Sequence, residues 1–135
     1  MIAAEITLKV QFYDVDSMRV VWHGNYVRYL EEARCALLDR IGYNYVEMSR
    51  SGYLWPVVDL RIKYVRPLRF AQRVTVRAEL AEYENRLRIE YRIADAATGE
   101  ILTEASTVQV AVDSKTDELC FVCPAALIDK VKALL

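Results

Sequence analysis

The chain has 135 residues, the size of one ordinary domain and too few for two separate cores, so a single domain spanning 1–135 is expected. Eighteen Lys and Arg against nineteen Asp and Glu leave a formal charge of −1, which lacks the basic footprint of a nucleic-acid binder. Three cysteines without framework spacing argue against a disulfide scaffold, and neither a signal-peptide core nor a membrane-length apolar run is present, so a cytoplasmic protein that does not enter membranes is expected.

In chain order the first element reads as a strand. Ile6, Leu8, Val10 and Phe12 alternate with Glu5, Thr7, Lys9 and Gln11, which gives one buried face. From Tyr26 the period lengthens: Tyr26, Leu30, Ala33, Leu37 and Ile41 lie three or four apart among charged residues, as in an amphipathic helix. Gly24 or Asn25 can cap its start, and Gly42 can end it in the left-handed conformation. Alternation then returns four times, around 58–65, 73–80, 86–93 and 102–112, with turn residues at Glu84-Asn85 and Thr98-Gly99, and is read as a four-strand meander. A short helix is expected from Pro124. Only the helix from Tyr26 is long enough to cover the apolar strand faces, so the expected fold class is α+β, a five-stranded antiparallel sheet wrapped around one long central helix.

The segment between the first strand and that helix holds the candidate chemistry. Asp14 and Asp16 precede a helix start at which unpaired N–H groups and the positive end of the helix dipole favour developing negative charge. A thioester or ester carbonyl docked there would be polarised, and either carboxylate can serve as nucleophile or as general base to water. His23, the sole histidine, can bond substrate or carboxylate through its ring or offer its backbone N–H. Asp residues before a helix also serve simply as turn or cap residues, and that alternative stays open on spacing alone.

The run Phe12-Tyr13-Asp14-Val15-Asp16, followed by Val20-Val21-Trp22-His23-Gly24-Asn25-Tyr26 and Leu30-Glu31-Glu32-Ala33-Arg34, resembles the acyl-CoA thioesterases of the 4-hydroxybenzoyl-CoA thioesterase group. That group shows D-x-D, a short turn, two apolar residues, an aromatic, His or Tyr, x-N-Y and then E-x-A-R. Tyr64-Val65-Arg66-Pro67 is similar to its Y-x-x-P. The resemblance implies the hotdog fold, a homodimer assembling to a homotetramer with active sites at subunit interfaces, and hydrolysis of acyl-CoA or acyl-carrier-protein thioesters without a cofactor. It makes Asp16 the catalytic carboxylate and assigns carbonyl polarisation to the helix start, His23, Gly24, Asn25 and Tyr26. Glu31 and Arg34 become a supporting pair, and Trp22, Trp55 and Tyr64 pocket lining. One departure is Arg19, where the group has Gly.

Other readings compete. Arg86 and Arg88 share the polar side of one strand segment and can meet coenzyme A phosphates or simply a solvated face. Cys35, Cys120, Cys123 and His23 could on paper make a four-ligand zinc set but offer no second closely spaced pair, so no metal is expected. A hotdog hydratase or dehydratase would need a His and a carboxylate from two subunits, and a non-catalytic acyl-binding module would bind without turnover.

Overall fold

The computed structural model describes residues 1–135. The main sheet holds β1 (Ala3–Lys9), β3 (Val57–Tyr64), β4 (Arg73–Glu82), β5 (Leu87–Asp95) and β6 (Ile101–Gln109), all antiparallel, in the spatial order β1-β4-β5-β6-β3. The central helix α1 runs from Tyr26 to Ile41. Two short strands, β2 (Tyr53–Leu54) and β7 (Val112–Asp113), pair with each other, α2 spans Tyr45–Arg50, and α3 spans Ala125–Lys132. A five-stranded antiparallel sheet around one long helix, with a short C-terminal helix, is the hotdog fold.

The inward faces follow the alternation. Val74, Val76 and Ala78 of β4 and Leu87, Ile89, Tyr91 and Ile93 of β5 are buried against Leu30, Ala33, Leu37 and Leu38 of α1 in one core. Fully burying such a side chain contributes roughly 1.5–3 kcal/mol. The helix ends as Gly42 takes φ 83° and gives its N–H to the carbonyls of Leu38 and Asp39. Lys130 of α3 donates to the Gly42 carbonyl at 2.8 Å, so the terminal helix closes that end.

Three features differ from the sequence reading. The last four strands are not one meander: β4, β5 and β6 are, whereas β3 pairs with β6 at the far edge. Alternation reports which side of a strand is apolar and carries nothing about its neighbour. Phe12 is not an inward strand residue but is exposed, because β1 stops at Lys9 and residues Phe12–Asp14 form a 3-10 turn. The strand expected to reach Val112 breaks after Gln109; opposite it stands Pro56, which has no N–H to continue the ladder.

The helix packs chiefly on β1 and β4. That leaves β3 as an edge strand with Val58, Leu60 and Tyr64 exposed. On the opposite face, ions pair along the strands: Arg77 with Glu79 and Arg88 with Glu90 at 3.0 Å, and Arg61 with Asp59 at 3.4 Å.

Candidate active site

The loop before α1 is a small hairpin. The Asp16 N–H donates to the Val20 carbonyl and the Arg19 N–H returns to the Asp16 carbonyl, both at 2.9 Å, while Val15 and Val21 form an antiparallel bridge. Arg19 closes the turn at φ 64°. A three-residue loop of this kind needs a left-handed third residue, the place where glycine is favoured, which accounts for the Gly of the related pattern. Here arginine occupies it.

The two aspartates have different surroundings. Asp14 is buried; its carboxylate accepts the Gln11 N–H at 2.9 Å, and its carbonyl accepts the Trp22 N–H at 3.0 Å and the Asn25 side-chain amide at 2.9 Å. It ties three parts of the loop together. Asp16 is half-buried, and its only side-chain hydrogen bond is from the Met18 N–H to Oδ1 at 2.8 Å, so Oδ2 has no partner within the chain. The Tyr29 hydroxyl, buried without a hydrogen-bond partner, has its pKa raised by burial and then by the Asp14 carboxylate.

A 3-10 turn over His23–Asn25 runs directly into α1. Asn25 has helical dihedrals and does not cap α1 with its side chain; the amide is spent on Asp14 instead. The first free donors of the helical run therefore lie earlier: none of the turn and cap hydrogen bonds uses the N–H of His23 or Gly24. Tyr64 at the end of β3 donates its hydroxyl to the His23 carbonyl at 3.1 Å, and its ring meets Tyr26 edge-on at 4.7 Å. Tyr26 is buried, and its hydroxyl accepts the Leu68 N–H at 3.3 Å. Above Gly24 lies the half-exposed indole of Trp22, so close that a Cβ on Gly24 would come within 2.4 Å of Cζ3. The His23 ring is exposed beside that indole, centroids 5.1 Å apart.

Asp16, Trp22, His23, Gly24, Asn25, Tyr26 and Tyr64 thus fall in one neighbourhood. The other expected residues do not. Trp55 is buried beyond the opposite end of α1, its indole N–H donated to the Tyr43 hydroxyl at 3.2 Å. Arg86 is held by Glu82 at 2.9 Å and Arg88 by Glu90; the Leu87 end of β5 pairs with Gln109, whereas Tyr64 pairs with Thr103 at the other end of β6. Glu31 and Arg34 are 3.9 Å apart, a loose pair: Arg34 is buried and gives Nε to the Tyr45 hydroxyl at 2.8 Å, while Glu31 is largely exposed. A groove of about 1080 Å³ runs beside α1 past Tyr13, Asp14, Tyr29 and Glu31, but Asp16 and His23 do not line it. Cys120 and Cys123 share the connection before α3, while His23 lies in the 3-10 turn and Cys35 on α1, and no three His, Cys, Asp or Glu residues group as a metal site. Burial pushes the Cys123 thiol up to about 11.

Two contacts escaped the sequence reading. Nothing in the spacing of Trp22 and Gly24 indicates that the ring covers the glycine, and Tyr64 was legible as lining but not as the residue holding the His23 carbonyl.

Residues 10–132 match the family model of the thioesterase-like superfamily. The chain belongs to this superfamily. YneP of Bacillus subtilis (strain 168), whose name gives it provisionally as an acyl-CoA thioesterase, is 31% identical over 110 residues, 81% of this chain and 79% of that protein. The chloroplastic acyl-acyl carrier protein thioesterase ATL2 of Arabidopsis thaliana is 34% identical over 82% of this chain and 60% of its own length. Among solved structures, a DHNA-CoA thioesterase from Staphylococcus aureus superposes with TM-score 0.84 at 26% identity, covering 99% of this chain and 93% of that one. The hypothetical protein TT1821 from Thermus thermophilus gives TM-score 0.85 at 31% identity, with 98% and 99% covered.

Proposed function

We propose that this thioester hydrolase acts on acyl-CoA, with Asp16 as the carboxylate that activates water or attacks the thioester carbon. The observation that carries the reading is the contrast between the aspartates. Each carboxylate accepts one backbone N–H, but Asp14 is buried and its carbonyl is taken by Trp22 and Asn25, whereas Asp16 is half-buried and keeps Oδ2 unpartnered where solvent and substrate can reach it. The free N–H groups of His23 and Gly24 open the helical run, where an oxyanion would be stabilised, and Tyr64 fixes that peptide by holding the His23 carbonyl. Removal of one such donor typically costs about 10²–10³ in kcat.

The thioester carbonyl carbon gains an oxygen from water, the carbon–sulfur bond breaks, and the leaving thiolate takes up a proton that the water gave up. With Asp16 as base, the water proton passes through its carboxyl to the leaving sulfur; with Asp16 as nucleophile, an anhydride forms first and water then cleaves it. No step calls on metal or redox chemistry.

The working unit in this proposal is one hotdog domain paired with a second copy. The unpaired edge of β3 carries exposed Val58 and Leu60 and ends at Tyr64 beside the helix start, so pairing of β3 edges covers apolar surface and brings a second copy up to the Asp16 loop. The enzyme is read as cytoplasmic; no helix is long and apolar enough to cross a membrane. The test is thiol release from a panel of aliphatic and aromatic acyl-CoA thioesters, with light scattering on the same sample. Turnover by a dimer or tetramer is expected. Saturable binding with no turnover across the panel would instead make the chain an acyl-binding module.

A further inference from the structure

The central helix and the edge strand β3 diverge beyond the active-site loop. Tyr26 meets Tyr64 edge-on beside the free N–H groups of His23 and Gly24, but α1 packs chiefly on β1 and β4, and the inward side chains of β3 stay open: Leu60 is 42% exposed and Tyr64 47%. Strand pairing sets Tyr64 beside Thr103, Ile62 beside Ala105 and Leu60 beside Thr107, so this wall continues onto β6 and then, through Ala105, onto Tyr91 of β5. A trough therefore runs between α1 and β3, beginning at the helix start.

Arg34 stands in its far part. It follows Tyr26 by about two turns of α1, roughly 12 Å along the axis. It is only 8% exposed, and its Nε is given to the Tyr45 hydroxyl at 2.8 Å. The two Nη groups make no hydrogen bond within the chain; the fully buried polar atoms without a partner belong to Tyr29, Thr103 and Gln109, so the Nη groups face the small opening that remains. A buried charge is costly unless it is paired and hydrogen-bonded, and no anion does both here. Glu31, the carboxylate within ion-pair distance, lies at 3.9 Å, beyond hydrogen-bond reach, with its side chain 56% exposed. The Tyr91 hydroxyl is bonded to Thr107 at 2.7 Å. Burial raises the pKa of Tyr45 and Tyr91 against the pull of the Arg34 charge, so neither hydroxyl supplies a negative charge near neutral pH. The facing Leu60, Ile62, Ala105 and Thr107 are uncharged.

We propose that Arg34 is a specificity-determining residue that receives a carboxylate at the far end of the acyl group, so that the preferred substrate is the half-thioester of a dicarboxylic acid. The proposal rests on the thioesterase reading and adds the chemistry of the acyl tail. The helix start holds the thioester carbonyl, the Arg34 fork holds the distal carboxylate, and Leu60, Ile62 and Ala105 receive the methylenes between them. Two Nη groups offer parallel donors that match the two oxygens of a carboxylate. An alkyl end would instead cover the same donors and leave them without water or partner. Glu31, largely in water, can turn away from an incoming anion.

The test is kcat/KM, by thiol release, for pairs of acyl-CoA thioesters of equal length, about six to ten carbons to bracket that span, ending in either a carboxylate or a methyl group. Wild type is expected to prefer the carboxylate member of at least one pair by about tenfold or more. No preference, or a preference for the methyl member at every length, would overturn the proposal. Arg34→Met keeps an apolar stem and removes the fork, and should bring that ratio to within about threefold of unity. Arg34→Lys, the milder change should the first variant not fold, should retain a preference reduced by about threefold or more, since an ammonium cannot offer the fork. A purely structural arginine would lower both members of a pair equally, and an unchanged ratio in either folded variant would overturn the assignment. Light scattering on the same variants reads the other use of the guanidinium: a shift from oligomer to monomer with the ratio unchanged would assign it to the subunit interface instead. If wild type releases thiol from no acyl-CoA, the thioesterase reading falls, and calorimetry then decides the site. A free dicarboxylic acid should bind wild type at least about tenfold more tightly than the monocarboxylic acid of the same length, and Arg34→Lys should narrow that gap; equal binding, or none, would overturn the proposal.

Discussion

Gly24→Ala adds one methyl group where the Trp22 ring already lies. The new Cβ would stand 2.4 Å from Cζ3, 2.5 Å from Cη2 and 2.8 Å from Cε3, well inside any tolerated contact. The backbone itself raises no objection, since Gly24 is not among the residues with positive φ. The ring must therefore move, and being half-exposed it can swing toward solvent. Overpacking costs roughly 1–3 kcal/mol, and a mobile, half-buried ring places this case near the lower end, at about 1 kcal/mol. With an unfolding entropy of roughly 2.1 cal/mol/K per residue, that lowers the thermal midpoint by about 3–4 °C for a chain of this length. Activity should suffer more, because the displaced ring disturbs the peptide that carries the His23 and Gly24 N–H groups; a misplacement of about 1 Å can cost roughly 10² in rate. The assay is a double-mutant cycle with Trp22→Ala, reading thermal midpoint at fixed protein concentration and kcat on one acyl-CoA. Gly24→Ala should become nearly neutral for stability once the ring is gone, a coupling of about 1 kcal/mol. An equal loss in both backgrounds would show that the glycine serves something other than the ring.

The other predictions concern the turn, the edge strand and the buried tyrosines. At Arg19, held at φ 64°, glycine should leave the thermal midpoint unchanged or raise it by a few degrees, whereas valine should cost more than about 1 kcal/mol, since a β-branched residue tolerates this region least; a midpoint that ignores both would remove the strain argument. Val58→Lys with Leu60→Lys on the β3 edge should yield monomers by light scattering and abolish turnover, and an active monomer would contradict the interface site. Burial raises the pKa of Tyr26, Tyr29 and Tyr91 above the ordinary value of 10.0. Above about pH 10 the unfolded chain loses tyrosine protons that the folded chain keeps, so stability falls as pH rises. Denaturant midpoints should show a shallower fall for Tyr29→Phe than for wild type, and identical slopes would refute that assignment.

Much of this architecture was legible because inward and outward residues alternate cleanly in β4 and β5 and recur every three or four positions in α1. Gly42 stopped the helix where its left-handed conformation was expected. Strand order was not legible: placing β3 beside β6 depends on the 65–72 connection crossing the end of the sheet, which no local pattern records. At the site, the pattern pointed to the loop, but the different surroundings of Asp14 and Asp16 emerge only from contacts such as Asn25 to the Asp14 carbonyl, eleven residues apart in sequence. Trp55 misled for a related reason. An aromatic residue opening a strand looks alike as pocket lining or as core, and here its indole bonds Tyr43 at the far end of the helix. Arg86 and Arg88 stood close enough to Glu82 and Glu90 for pairing, a local option that the structure takes.

The central claim is that Asp16 performs the chemistry and Asp14 holds the loop. Asp16→Asn keeps the side chain's size and its acceptor for the Met18 N–H but removes the charge that a base or nucleophile needs. Measured by thiol release from an accepted acyl-CoA, its kcat should fall by about 10²–10⁴ while the thermal midpoint stays within a few degrees of wild type. An Asp16→Asn protein that turns over at the wild-type rate, or one whose entire loss of activity follows a loss of folded protein, would contradict the account.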